Sequence, residues 1–183
     1  MNDRLSGFPE EIVRRAARVR LAAFDVDGTL TDGRIGFDAA GNESKAFHIH
    51  DGLGLKLLEA QGIHVALITA RKSEVAQARG RDLGLKHVYI GVEDKRACLL
   101  LLADELGLAR DEVAFMGDDL PDLAAFAVAG FAIAPADAHP WTRARAHWVT
   151  DQRGGAGAAR ALCDLILESR GLAAAVIAGA ERA

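Results

Sequence analysis

Three times along this chain a helical pattern ends in glycine plus an apolar residue, and a short strand-like run follows. Glu59-Ala60-Gln61-Gly62-Ile63 leads into Val65-Ala66-Leu67-Ile68, and Arg81-Asp82-Leu83-Gly84-Leu85 leads into Val88-Tyr89-Ile90. Asp104-Glu105-Leu106-Gly107-Leu108 leads into Val113-Ala114-Phe115-Met116. A left-handed glycine followed by an apolar residue is a Schellman helix stop, and a short buried strand after it is the αβ half of a βαβ unit. Repeated units of this kind predict an α/β fold, a Rossmann-like three-layer α/β/α sandwich with a mostly parallel sheet. Leu21-Ala22-Ala23-Phe24 reads as one further buried strand, Gly130 to Ala134 as another, and His147-Trp148-Val149 as a short last one. The 183 residues fit one domain of ordinary size, expected over 1–171. The Ala-rich stretch from Leu172 to Ala183 has little pattern and is expected to be a flexible tail.

One segment interrupts the alternation. From Gly33 to His50 the apolar pattern has period two on either side of Gly41-Asn42, which predicts an inserted β-hairpin. The next helix is expected to start at Asp51-Gly52. A hairpin placed directly after the loop at residues 25–33 should project over that loop or into a neighbouring chain.

That loop is acidic. Asp25 and Asp27 follow the Leu21–Phe24 strand, where an open α/β sheet binds ligands, and they share a parity that lets both face one site. Two carboxylates in one pocket repel unless a cation separates them, so the pair predicts a hard oxygen-ligand ion such as Mg²⁺. Three more polar elements fall at strand ends and converge on the first. Thr69 and Arg71 follow Ile68, with Ser73 opening the next helix, a setting suited to phosphate oxygens. Lys95 lies near a helix N-terminus, against the macrodipole, which points to an anionic partner. Gly117-Asp118-Asp119-Leu120-Pro121-Asp122 gathers three acids, of which Asp118 is best explained as a metal ligand. His48 and His50 would share a strand face, but two imidazoles without a third ligand read as surface or substrate contacts.

Asp25-x-Asp27-Gly-Thr-Leu-Thr, Thr69, Lys95 and Gly117-Asp118-Asp119-x-x-Asp122, in this order, resemble the haloacid dehalogenase-like phosphatase superfamily over residues 21–170. The resemblance implies Mg²⁺ dependence and an aspartyl-phosphate intermediate. It makes Asp25 the nucleophile and Asp27 the general acid/base. It assigns the metal to Asp25, the Asp27 carbonyl and Asp118, the transferring phosphoryl group to Thr69 and Lys95, and supporting roles to Asp119 and Asp122. The spacings from Asp25 to Thr69 and from Lys95 to Asp118 leave no room for a cap domain. Capless members include the phosphatases of 3-deoxy-D-manno-octulosonate 8-phosphate, which act in lipopolysaccharide precursor synthesis as homotetramers whose neighbouring subunits cover the active site. Their pattern extends here to Leu30-Thr31-Asp32-Gly33, Lys45-Ala46-Phe47, Asp51-Gly52-x-Gly54, Asp137-Ala138-His139-Pro140 and Gly154-Gly155-x-Gly157-Ala158, the last a loop that reaches toward a neighbouring site in that family. A phosphorylated sugar acid is then the implied substrate, with Asp32, His50, Asp51, Gly52, Arg71 and Arg153 as its candidate contacts. Three positions depart from the pattern: Ala70 where glycine is usual, Ala156 where a basic residue is common, and His50 where arginine is frequent.

Composition excludes other classes. The net charge of −4 leaves no basic footprint for nucleic acid, and no stretch is apolar enough to span a membrane. Asp3 and Arg4 interrupt any signal-peptide pattern, and Cys98 and Cys163 sit in apolar helical runs, so a reducing, cytoplasmic setting is expected. Two rivals stay open: a phosphatase of a nine-carbon 2-keto sugar acid 9-phosphate, and a non-catalytic binding subunit of the same fold.

Overall fold

The computed structural model describes residues 5–182; Asp3 and Arg4, invoked for the expected cytoplasmic setting, lie outside them. Helix α1 (Glu10–Arg18) precedes strand β1 (Leu21–Phe24), and a small hairpin follows, β2 (Gly36–Phe37) and β3 (Glu43–Ser44). Then α2 (Ile49–Ala60), β4 (His64–Thr69), α3 (Glu74–Leu83), β5 (His87–Ile90), α4 (Lys95–Glu105) and β6 (Val113–Met116) alternate. The chain ends through α5 (Leu123–Phe126), β7 (Phe131–Ala134), α6 (Pro140–Arg143), β8 (Trp148–Val149), α7 (Ala158–Ser169) and α8 (Ala173–Ala180). The main sheet has the order β5-β4-β1-β6-β7-β8 and every pairing in it is parallel.

The three glycine stops explain how the helices are cut to length. Gly62, Gly84 and Gly107 all have positive φ, and the amides of Ile63, Leu85 and Leu108 donate to the carbonyls of Leu58, Gly80 and Ala103 at 2.9–3.0 Å. Those bonds reverse the chain and deliver it into the next strand. Alternation along β1 then sends Leu21 and Ala23 to one face of the sheet and Ala22 and Phe24 to the other. One apolar layer joins Phe24 and Leu67 to α1, α2 and α7; the other joins Ala23 and Ile68 to α4 and α5. The result is the expected three-layer sandwich. No helix among the described residues is long and apolar enough to cross a membrane.

One local expectation is corrected. The hairpin is shorter than its pattern implied, with only the pairs Gly36–Ser44 and Phe37–Glu43. Its reversal is built by Asp38, whose carboxylate accepts from the amides of Ala40 and Asn42, with Gly41 at φ +85°. Beyond Ser44 the strand has no pairing partner among the described residues, and α2 begins at Ile49 with His48 as its N-cap. His48 and His50 therefore do not share a strand face; His48 Nδ1 accepts from the His50 amide at 3.3 Å instead. In the C-terminal stretch, Ala173–Ala180 are helical, as an Ala-rich run favours, and Leu172 and Val176 pack against the core one turn apart.

Candidate active site

Because β1 is flanked by β4 and β6, the loops after these three strands open onto one cleft at the carboxyl end of the sheet. The cleft has a volume of 290 Å³, and Asp25, Asp27, Thr69, Arg71, Lys95, Asp118, Asp119 and Asp122 line it. Asp25 extends β1 by one step, its amide donating to the Met116 carbonyl at 2.9 Å. Gly28 turns the chain with φ +90°, and a Cβ there would stand 2.2 Å from Asp118 Oδ2. Only glycine serves both demands. The two acidic loops thus touch through a residue with no side chain.

Lys95 ties the acids together. Its ammonium donates to Asp25 Oδ1 and to Asp122 Oδ1, both at 2.6 Å, with all three side chains buried. The other Asp122 oxygen accepts from the amides of Asp118 and Asp119 at 2.9 and 3.2 Å. Asp122 therefore shapes the loop and orients the lysine. Asp119 caps the 3₁₀ turn Leu120–Asp122, accepting from the Leu120 amide at 2.8 Å. Thr69 is buried at the end of β4, its hydroxyl accepting from the Arg71 amide at 3.3 Å.

The electrostatics favour a cation beyond Lys95. Burial, followed by the neighbouring Asp122, outweighs Lys95 and raises the Asp25 pKa to about 7. Burial, followed by Asp25 and Asp122, raises that of Asp118 to about 8. Burial opposes the Lys95 ammonium as well, yet Asp25 and Asp122 together hold its pKa above the ordinary lysine value. Carboxylate oxygens of Asp25, Asp118 and Asp122 lie within 4.8 Å of one another. An all-oxygen donor set this close, in which Asp25 and Asp118 are held well above the ordinary aspartate value, fits a hard divalent ion.

Asp27 faces the other way, toward the hairpin. Lys45 Nζ lies 2.6 Å from its Oδ1 and Arg71 Nε lies 3.8 Å from its Oδ2. Glu43 gathers Lys45 at 3.1 Å, Arg71 at 3.0 Å and the Ser73 hydroxyl at 2.6 Å. The Ser73 hydroxyl, then Arg71 and Lys45, pull the Glu43 carboxyl down to about 2. Sequence reasoning did not place Glu43 and Lys45 at the site. The available signal was an acid and a base two residues apart on one hairpin strand, beside the acidic loop.

Several candidate substrate contacts fall outside the cleft lining. Asp51 is buried and caps α7, accepting from the amides of Arg160 and Gly157 at 2.8 and 3.2 Å. Its burial raises its pKa despite those two bonds. Gly52 leaves space for the Arg79 guanidinium, which a Cβ would meet at 2.1 Å. Asp32 accepts from the Arg34 amide at 3.0 Å, and Arg153 pairs with Asp137 at 3.1 Å. His50 sits in the first turn of α2. The loop at Gly154-Gly155 packs within its own chain, the Gly155 amide donating to the Thr29 carbonyl at 3.0 Å. A Cβ on Gly154 would come within 1.8 Å of the Gly28 carbonyl oxygen, so this loop buttresses the acidic turn from behind.

The family model of haloacid dehalogenase-like hydrolases matches residues 53–130. The 3-deoxy-D-manno-octulosonate 8-phosphate phosphatase KdsC of Yersinia pestis is 42% identical over 158 residues, covering 86% of this chain and 84% of that protein. A crystal structure of the phosphatase of that name from Moraxella catarrhalis, with magnesium ion, phosphate ion and KDO, superposes with a TM-score of 0.91. It is 41% identical, over 94% of this chain and 99% of that one. A hypothetical protein of Xanthomonas campestris is 59% identical with a TM-score of 0.93, covering 95% of each chain. With the acidic loops, Thr69 and Lys95 at adjacent strand ends, the chain belongs to the haloacid dehalogenase-like hydrolases and, among them, to the family of the 3-deoxy-D-manno-octulosonate 8-phosphate phosphatases.

Proposed function

We propose that this protein is a Mg²⁺-dependent phosphatase that hydrolyses 3-deoxy-D-manno-octulosonate 8-phosphate to the free sugar acid and phosphate. The observation that carries the reading is the buried Asp25–Lys95–Asp122 triad beside Asp118 and Thr69, in a chain 41% identical to a phosphatase crystallised with magnesium, phosphate and KDO. Asp25 attacks phosphorus as the bond to the sugar oxygen breaks, and Asp27 gives that oxygen a proton. Asp27 then takes a proton from the water that hydrolyses the aspartyl phosphate. Lys95 and the Thr69 hydroxyl hold the phosphoryl oxygens as charge moves onto them. The carboxylates of Asp25 and Asp118 and the carbonyl of Asp27 would hold the ion, with Asp122 orienting Lys95 beside them. An ion held there would supply positive charge beside the phosphoryl group, easing the approach of the Asp25 carboxylate.

The finer parts of the reading follow from surface and substrate. Phe37 on the hairpin and Ile49 and Leu53, one turn apart at the start of α2, are exposed apolar side chains, Phe37 at 65% and Ile49 at 75%. This supports a homotetramer in which a neighbouring copy covers the open cleft. A charged sugar phosphate as substrate supports a cytoplasmic enzyme of lipopolysaccharide precursor synthesis. The test is kcat/KM for the eight-carbon 8-phosphate against a nine-carbon 2-keto acid 9-phosphate. At least a tenfold preference for the former is expected, since wrongly paired polar groups cost about 1–3 kcal/mol each. Equal or reversed preference overturns the substrate assignment.

A second expectation concerns metal and pH. Asp25 and Asp118 keep their protons to about pH 7 and 8 in the folded protein, against 3.8 for an ordinary aspartate. The folded state then binds more protons than the unfolded chain, so the metal-free protein loses stability as pH rises from about 4 to about 8. Magnesium displaces those protons, and its affinity should grow over the same range. Thermal melts should show a larger rise in Tm on adding Mg²⁺ at pH 8 than at pH 5.5. An equal rise at both would show that these two acids do not bind the ion.

A further inference from the structure

Lys45 has no part in the chemistry described so far, yet its side chain is fully buried. A lysine is almost never enclosed this way unless it is paired. The pairing here is specific: Nζ stands 2.6 Å from Asp27 Oδ1 and 3.1 Å from Glu43 Oε1. Glu43 is in turn clasped by Arg71 and by the Ser73 hydroxyl at the start of α3. The hairpin strand is therefore anchored to the scaffold, and Lys45 carries that anchorage to the carboxylate of the acidic loop. The only other cation near that carboxylate, among the described residues, is the half-exposed Arg71, at 3.8 Å from the opposite oxygen.

From this geometry we infer that Lys45 is a positioning residue, which fixes the Asp27 carboxyl for proton transfer to the leaving oxygen. The inference rests on the reading of Asp27 as general acid. Asp27 sits on a turn next to Gly28, the most permissive backbone position, and its carboxyl must lie within hydrogen-bond reach of the departing oxygen. A displacement of about 1 Å in such a group costs on the order of 10²-fold in rate. The inserted hairpin thus completes the acid/base apparatus as well as flanking the cleft.

A merely structural ion pair and a positioning role differ in their dependence on the leaving group. An alkoxide leaving from the sugar phosphate needs a proton, whereas p-nitrophenolate departs without one. Because kcat/KM reports the steps up to that departure, the variant Lys45→Met should lose about 10²-fold in kcat/KM on the sugar phosphate. On p-nitrophenyl phosphate the same variant should change by no more than about threefold, a margin small beside the 10²–10⁴-fold typical of general acid catalysis. Asp27→Ala is the reference. If it shows the same bias and Lys45→Met loses both substrates equally, or neither, the positioning role is overturned. If Asp27→Ala itself shows no bias, the acid assignment fails and the inference fails with it. Should Lys45→Met not fold, Glu43→Gln releases the anchor while keeping the lysine. It should show the same bias in smaller degree, and equal effects on both substrates would overturn the role.

Discussion

Asp25→Asn is expected to lower kcat by about 10⁶-fold, the scale on which loss of a nucleophile alone disables a covalent hydrolase. The amide matches the carboxylate in shape and can still accept from the Lys95 ammonium that now stands 2.6 Å away, so the cleft should keep its form. What disappears, on the proposed mechanism, is the electron pair that would attack phosphorus. The positioning and charge stabilisation proposed for Lys95 and Thr69 would remain, but they would act on a phosphoryl group with nothing in line to receive it. Hydrolysis of a phosphate monoester is slow enough without an enzyme to demand up to ~10²¹-fold acceleration, and general acid catalysis offers only about 10²–10⁴ of that. Two measurements check the point together. Steady-state assays should find no turnover above background, and acid-quenched wild-type protein digested for mass spectrometry should carry phosphate on the peptide containing Asp25. Residual activity above one part in about 10² would remove Asp25 from the nucleophile's role.

How far the chain itself announces this site depends on the range of the interactions involved. Strands and glycine stops are local: at Gly62, Gly84 and Gly107 the amide of the next residue bonds a carbonyl five residues before it, and the flanking apolar runs announce the strands. Asp25, Thr69, Lys95 and Asp118 were legible because a parallel sheet brings the ends of neighbouring strands together whatever the details of packing. Contacts between distant segments left no such trace. Asp51 sits in a family-like run and reads as a substrate contact, yet it caps α7 more than a hundred residues away. Gly154 and Gly155 stand out in the sequence only as a glycine-rich loop, and nothing local announces that their missing side chains let them lie against Gly28 and Thr31. The hairpin misled in its register. Period two continues through His50, but pairing stops at Ser44, and the residues freed from the ladder carry Lys45 to Asp27 and His48 to the head of α2.

The same reasoning makes Lys95 the residue whose loss should damage both stability and rate. Lys95→Met keeps most of the side-chain volume and removes one positive charge from between two buried carboxylates. Breaking a buried ion pair from one side typically costs about 3–5 kcal/mol, because the charge left behind has no partner. At about 2–4 °C per kcal/mol for a chain of this size, Tm should fall by about 10 °C at pH 8. The fall should shrink on acidification. Asp25 already holds its proton to about pH 7 with the lysine present, and without it protonation relieves the repulsion from Asp122 at still higher pH. Magnesium should restore part of the loss at pH 8, since it supplies positive charge to the same acids. Catalysis should not recover with it. The transferring phosphoryl group loses a fixed donor, and removal of one such donor costs about 10²–10³ in kcat. A variant that melts lower yet turns over at the wild-type rate would confine Lys95 to holding the acids together, and would leave Thr69 and the ion to carry the transition-state charge alone.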